Sequence, residues 1–181
     1  MAIKNLELVS FRNHKNRKFR FNKGLTVIWG ENGSGKTSIL EAIHLLSYGR
    51  SFRTRKQKDM INYTDNDLIA RGEFFLESRK DEISALISKN KKQQIKLNGK
   101  KIAGRKDIIG RNNVVVLSPE EQALTKGAPV ERRNFFDKLF STISSNYLNC
   151  LQVYTKTLKQ RNAVIESVKK NRNTIGDIES W

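Results

Sequence analysis

The stretch 25-LTVIWGENGSGKTSILEAIHLLSY-48 decides the fold of this chain. Its first part, Leu25 to Trp29, is an apolar run that predicts a buried strand. The next part, Gly30 to Thr37, fits the pattern G-x-x-x-x-G-K-[ST] at every fixed position. A third part has apolar residues at the spacing i, i+1, i+4 and i+7: Ile39, Leu40, Ile43 and Leu46. A strand, this loop and a helix in that order favour a phosphate-binding loop over an ordinary glycine turn.

The residue types of the loop suit the phosphate tail of a nucleotide. Glycines let the backbone curl so that successive N–H groups face phosphate oxygens, and the following helix adds the positive end of its dipole. Lys36 would reach the β- and γ-phosphates, and the Thr37 hydroxyl would help to hold Mg²⁺. The predicted nucleotide-binding residues of the loop are Gly30, Glu31, Asn32, Gly33, Ser34, Gly35, Lys36, Thr37 and Ser38.

The charge balance of the chain favours a polyanionic partner. Thirty-five Lys and Arg residues against eighteen Asp and Glu residues give a net charge of +17 and a pI near 10.2. Such a field attracts nucleic acid or an anionic membrane surface, although a merely soluble basic surface is the simpler alternative. No apolar run approaches the ~18 residues of a membrane span, and the single cysteine, Cys150, is typical of a reducing cytosol. A zinc site would lack ligands, since the only histidines are His14 and His44.

Short strands are predicted on both sides of the loop. Residues 3–21 alternate with period two, which predicts two strands paired through a turn at Asn13 to Asn16. Between Leu68 and Ile102 the pattern predicts an antiparallel meander. Its clearest turn is Asn98-Gly99, a pair that favours a type I′ hairpin.

A basic segment, Arg50 to Lys58, follows the predicted helix. It holds five positive charges, one phenylalanine and no acid, a composition found both in solvated loops and in loops that grip a phosphate backbone. We take Arg50, Arg53, Arg55 and Lys56 as candidate DNA contacts.

The run Val114 to Leu117 is followed by Ser118, Pro119 and two glutamates. An apolar strand that ends in acids would suit the second half of an ATP site, but Pro119 cannot continue a strand ladder. We therefore predict a strand running into a helix start, and no convincing Walker B acid.

The last third of the chain is predicted to be helical. Pro129 suits a first helical turn. A core face is predicted for Phe135, Phe136, Leu139, Phe140 and Ile143. A second amphipathic helix is predicted by the spacing of Tyr147, Leu151, Tyr154, Leu158, Ile165 and Val168. The predicted architecture is α/β: a P-loop NTPase head lobe at 1–115 with an antiparallel β-meander, followed by a helical region at 116–181.

Six strings, in this order and spacing, resemble the N-terminal half of the RecF family. They are Phe11-Arg12-Asn13 within Val9 to His14, the loop and helix Gly30 to Ile43, Gly49-Arg50-Ser51-Phe52-Arg53, Ser118-Pro119-Glu120, Glu131-Arg132-Arg133 within Gly127 to Asp137, and Leu158 to Ala163. The likeness covers nearly the whole chain. It implies an ATPase head of the ABC and SMC type that belongs to a bacterial, cytoplasmic protein of DNA replication and repair.

The resemblance also implies partners and further site residues. A RecF-like protein would dimerise on DNA with ATP, bind double-stranded DNA and junctions of duplex with single strand at gaps, and act with RecR and RecO in loading RecA. Arg12 and Asn13 become candidate nucleotide ligands, and Gln122 a candidate Mg²⁺ ligand beside Thr37.

One departure limits the expected activity. The family's signature motif and Walker B acids lie in a C-terminal half that this sequence lacks, so we expect a fragment that hydrolyses little ATP alone. Two alternatives stay open: a non-enzymatic DNA-binding module that holds nucleotide as a structural ligand, and a P-loop kinase. A kinase would need a set of lid arginines and an acceptor pocket, and the excess positive charge has no obvious use there.

Overall fold

A computed structural model gives the fold, and it describes residues 2–76, 79–90, 93–117 and 128–171. The chain divides into two compact units, Met1–Ser118 and Pro119–Trp181, and each is described by itself. The boundary predicted between the head lobe and the helical region, after residue 115, lies close to this division. We propose that the two units correspond to those two regions.

The first unit is built on a six-stranded antiparallel sheet with the order β2-β1-β3-β4-β5-β6. The strands are β1 (Ala2–Phe11), β2 (His14–Arg20), β3 (Asp67–Leu76), β4 (Arg79–Ser88), β5 (Gln94–Leu97) and β6 (Lys100–Lys101). The predicted meander is therefore confirmed. Asn98 and Gly99 have φ values of 50° and 78°, as their predicted turn requires.

Helix α1 (Lys36–Tyr48) covers one face of this sheet. Alternate residues of β3 and β4 point towards it and form the core with apolar residues of the helix. The approach is close at Gly72, where an added Cβ would lie 2.8 Å from the Leu46 side chain. The predicted helix face is partly wrong: Ile39 and Leu46 are buried, but Leu40 is exposed and Leu45 takes its place in the core.

The turn between β1 and β2 lies at Arg12 and Asn13, earlier than predicted. Arg12 adopts a positive φ of 55° in this two-residue turn, and Ser10, with a φ of 54°, does so just before it within β1. The consequence is that Arg12, Asn13 and His14 all sit at the tip of this hairpin.

The predicted buried strand at Leu25 to Trp29 is wrong. Leu25, Val27 and Trp29 are 91%, 72% and 87% exposed, and no strand is assigned there. The segment carries a strand-like pattern, but a strand also needs a hydrogen-bonded neighbour, and no described strand pairs with it. The same correction applies to Val114 to Leu117, whose Val115 and Leu117 are also exposed. The helix start predicted after it lies outside the described residues.

The second unit contains helices α2 (Pro129–Ile143) and α3 (Ser145–Asn171). Pro129 occupies the first turn as predicted. The two helices contact each other through the rings of Phe140 and Tyr147, whose centroids lie 5.4 Å apart. The Tyr147 hydroxyl also donates a hydrogen bond to Asp137 Oδ1 at 2.6 Å. This hydrogen bond raises the pKa of Tyr147.

The predicted core face of α2 is wrong, because its apolar residues are exposed: Phe135, Phe136, Leu139, Phe140 and Ile143. The contact between α2 and α3, the two helices described in this unit, leaves that face uncovered.

Asp81 on β4 is a buried carboxylate held by cations. It contacts Arg79 Nε at 3.1 Å and Arg111 Nε at 3.2 Å, and it accepts a bond from Asn98 Nδ2 at 3.3 Å. Burial acts to raise the pKa of Asp81, but the hydrogen bonds from Arg111 and Asn98 and the nearby positive charges outweigh it. The pKa of Asp81 therefore lies below its usual range.

Asp81→Asn is expected to lower the free energy of unfolding at pH 7 by about 2 to 4 kcal/mol, because two arginines lose their counter-charge. Since the folded-state pKa is lower than the unfolded value of about 3.9, the carboxylate stabilises the fold above that value, and this contribution is lost as the pH falls through the folded pKa. Urea unfolding at pH values from 7 down to 2 measures both effects. Exposed Asp67→Asn is the control, and an acid limb unchanged by Asp81→Asn would contradict the prediction.

Candidate nucleotide and nucleic-acid site

The glycine loop has the backbone that its sequence requires. Gly30, Gly33 and Gly35 adopt positive φ, at 146°, 84° and 98°, which other residues rarely do. Helix α1 begins directly after Gly35, so its first amide groups open towards the loop. The Lys36 ammonium donates to the carbonyl oxygens of Gly30 and Glu31, each at 2.8 Å. The lysine is thereby held inside the curl of the loop, which gives the site a positive charge among backbone donors.

The hairpin tip braces this loop from the side. Asn13 Nδ2 donates to the Gly33 carbonyl oxygen at 2.7 Å, and His14 Nε2 lies 3.1 Å from the Gly35 carbonyl oxygen. Asn13 was predicted as a nucleotide ligand, and its described contact is with the loop itself. His14 was missed. No sequence pattern shows that His14 is buried at the start of β2. It reaches the glycine loop only because the β1–β2 hairpin places it there.

Arg12 lies on α1. Its Nε and Nη2 donate to the two carboxylate oxygens of Glu41 at 2.9 and 2.8 Å, and Nη1 donates to the Asp59 carbonyl oxygen. The described partners of this predicted nucleotide ligand are therefore groups of the protein. Glu41 was missed as well, although a signal exists: it is an acid between Ile39, Ala42 and Leu45 on a buried helix face.

The basic segment does not behave as one surface. Arg53 Nη1 lies 3.4 Å from Glu41 Oε2. Arg50 is partly desolvated and lies near Arg105, and both effects lower its pKa. Arg55 and Lys56 make no ion pair with any described carboxylate, and they line an open groove of about 640 Å³ beside Ile87 and Gln93. Of the four predicted DNA contacts, Arg55 and Lys56 are thus the least engaged by the protein.

The candidate Mg²⁺ ligands are not brought together by described contacts. Thr37 lies in the first turn of α1 and is exposed, whereas Gln122 lies outside the described residues. Among the residues that the structure describes, no group of three or more His, Cys, Asp or Glu side chains could hold a metal ion. Within the same part of the chain, no helix has the length and apolarity that crossing a membrane requires.

Comparisons with known proteins bear on this loop, helix and sheet together. The family described as "AAA domain" matches residues 5–180. The DNA replication and repair protein RecF of Clostridioides difficile (strain 630) is 40% identical over 168 residues, which cover 93% of this chain and 45% of that protein.

Solved structures agree. The recombination mediator protein RecF, solved in a form designated RecF-ATPrS in the RecFOR pathway, superposes with a TM-score of 0.91 at 33% identity, over 98% of this chain and 48% of that one. A structure from a study of ATP-driven dimerisation and DNA-stimulated activation of SMC ATPases superposes with a TM-score of 0.62 at 27% identity, over 77% of this chain and 99% of that one.

These matches confirm the predicted resemblance to RecF and the predicted fold class, an α/β P-loop NTPase lobe of the SMC head type. The chain spans about half the length of the curated relatives it matches. The chain therefore belongs to the AAA-domain family, and within it is homologous to the DNA replication and repair protein RecF over about half of that protein's length.

Proposed function

We propose that this chain is the ATP-binding and DNA-binding part of a RecF-type recombinational repair protein. Its parent would act at gapped DNA, at junctions of duplex with single strand, and would help RecR and RecO to load RecA. The proposal includes ATP-dependent pairing of two copies of the whole protein and a cytoplasmic location. The observation that carries it is the glycine loop, closed around the Lys36 ammonium at the start of α1.

The residues of the loop fit a triphosphate with Mg²⁺. Positive φ values such as those at Gly33 and Gly35 allow backbone N–H groups to turn towards an anion, and Lys36 supplies a positive charge at the start of the helix. Thr37 would hold Mg²⁺ through its hydroxyl, and Mg²⁺ would offset phosphate charge when bound. A phosphate that entered the loop would replace the carbonyl oxygens of Gly30 and Glu31 as partners of Lys36.

The proposed DNA contact is the basic loop, Arg50 to Lys58. Arg55 and Lys56 support it, because they pair with no described carboxylate and line an open groove, where they can neutralise phosphates without breaking a described ion pair. Such contacts would place a duplex without reading its sequence.

Double charge reversal, Arg55→Glu with Lys56→Glu, is expected to weaken duplex binding about tenfold or more at low salt and to reduce the salt slope by about 2. The reason is that each neutralised phosphate releases roughly one counterion. Fluorescence anisotropy of a labelled 30-base-pair duplex at several salt concentrations measures both quantities.

The matched control reverses two exposed cations on β2, Lys15→Glu with Arg17→Glu, and so changes the net charge equally. If the two pairs of substitutions weaken binding to the same extent, the loop is not the contact and only the net charge of the chain matters.

A further inference from the structure

Glu41 is a buried carboxylate that two arginines from different loops share. It is 0% exposed on its side chain, whereas Arg12 and Arg53 are 22% and 44% exposed. Arg12 comes from the β1–β2 hairpin tip and Arg53 from the basic loop. Glu41 itself lies on α1, the helix that begins at the phosphate loop.

The two arginines contact Glu41 in different ways. Arg12 makes two short bonds, at 2.8 and 2.9 Å, one to each carboxylate oxygen. This bidentate pairing supplies the counter-charge that a buried carboxylate needs. Arg53 adds one longer contact through Nη1, at 3.4 Å. Because a guanidinium has five N–H donors, Arg53 keeps others for a second anion.

The backbone of the basic loop is fixed to the same carboxylate. Ser51 Oγ donates to Glu41 Oε1, and it accepts bonds from the N–H groups of Arg53 at 2.9 Å and Thr54 at 3.1 Å. Both the side chain and the main chain at Arg53 are therefore placed with reference to Glu41. Fixing a binding group before its ligand arrives lowers the entropy cost of binding.

We propose that Glu41 is a positioning residue: it holds Arg53 so that the free edge of its guanidinium binds a phosphate of duplex DNA, while Arg12 neutralises the carboxylate. This inference rests on the proposed function, since it needs the basic loop to contact DNA. It adds a role for a residue that itself touches no DNA.

The proposal and a purely electrostatic role make opposite predictions. If Glu41 acted only through its charge, removing that charge would strengthen binding of a polyanion. If Glu41 positions Arg53, the same change releases the side chain and weakens binding.

The experiment compares duplex affinity, by fluorescence anisotropy at several salt concentrations, in Glu41→Gln, Arg53→Lys and the double variant. Glu7→Gln is the matched control, because Glu7 also pairs with two cations, Lys18 and Arg71, at 3.4 and 3.0 Å. We expect Glu41→Gln and Arg53→Lys each to weaken binding about three- to tenfold and to lower the salt slope by about 1. The double variant should be no weaker than the weaker single variant, and Glu7→Gln should bind as well as the unaltered chain or slightly better.

Arg53→Lys keeps the charge and alters a half-exposed side chain, so it tests the proposal even where Glu41→Gln fails to fold. Binding by Arg53→Lys equal to that of the unaltered chain would overturn the proposal, as would tighter binding by Glu41→Gln. If the unaltered chain shows no salt-dependent duplex binding, both this inference and the DNA-binding part of the proposed function are wrong. If the unaltered chain binds duplex DNA and Glu41→Gln does not change the affinity, this inference is wrong but the proposed function stands.

Discussion

Replacing Lys36 with alanine is expected to weaken ATP binding about 100-fold or more, since the loop would lose its charge-assisted bonds to the β- and γ-phosphates. The ammonium already lies in the curl of the loop, so ATP binding needs only an exchange of its partners, from the carbonyl oxygens of Gly30 and Glu31 to phosphate oxygens. Isothermal titration calorimetry with Mg-ATP measures the dissociation constant for each variant. The thermal midpoint without nucleotide should change little, because the two lost bonds are to exposed carbonyl groups.

The control for this prediction is Lys23→Ala, which removes an exposed lysine upstream of the loop. Equal ATP affinity in the Lys36→Ala and Lys23→Ala variants would rule out the loop as the nucleotide site. Duplex binding adds a second readout: if Lys36→Ala leaves DNA affinity in the presence of ATP unchanged, the chain is better described as a DNA-binding module with a structural nucleotide.

Gly35→Ala is expected to lower the free energy of unfolding by about 2 to 4 kcal/mol, through two separate effects. Gly35 has a φ of 98°, which a residue with a Cβ rarely adopts. The added Cβ would also lie 2.5 Å from His14 Nε2 and 2.6 Å from Asn13 Oδ1. The hairpin tip must then move away from the loop, so ATP affinity should fall as well. Urea unfolding and calorimetry measure the two losses.

Gly33→Ala separates the two effects. Gly33 has a similar φ of 84°, but nothing lies within 4 Å of the position of its added Cβ. We expect this variant to lose only about 1 kcal/mol from backbone strain. Were both variants to lose equal stability, the contact between the hairpin tip and the loop would contribute nothing measurable.

Local rules predicted much of the first unit. Alternation of apolar residues predicted β1 to β4, because the side chains of a strand alternate between its faces wherever one face is buried. The pair Asn98-Gly99 predicted its turn from the positive φ that both residues tolerate. The glycine loop was predicted for the same reason: at Gly33 and Gly35 the backbone conformation itself restricts the residue type.

Predictions failed where burial depends on a neighbour. Leu25 to Trp29 and the apolar face of α2 have the patterns of buried elements, yet most of their apolar side chains are exposed. A hydrophobic pattern indicates that a face is suited to burial, but it does not indicate which part of the protein packs against that face. The prediction that Leu40 faces the core was also wrong, and Leu45 is buried instead. Helix α1 has apolar residues on more than one face, so their spacing alone does not show which face packs against the sheet.

The sequence by itself determined that a glycine loop ending in Lys36 and Thr37 leads into α1, that antiparallel strands lie on both sides of it in the chain, and that the chain is strongly basic. Only the tertiary structure decided what the individual side chains do: Asn13 and His14 brace the loop, and Arg12 and Arg53 meet on Glu41. The physical reason is range. Backbone conformation and periodicity act over a few residues and are written locally, whereas a buried charge takes its partner from whichever distant segment the fold places beside it.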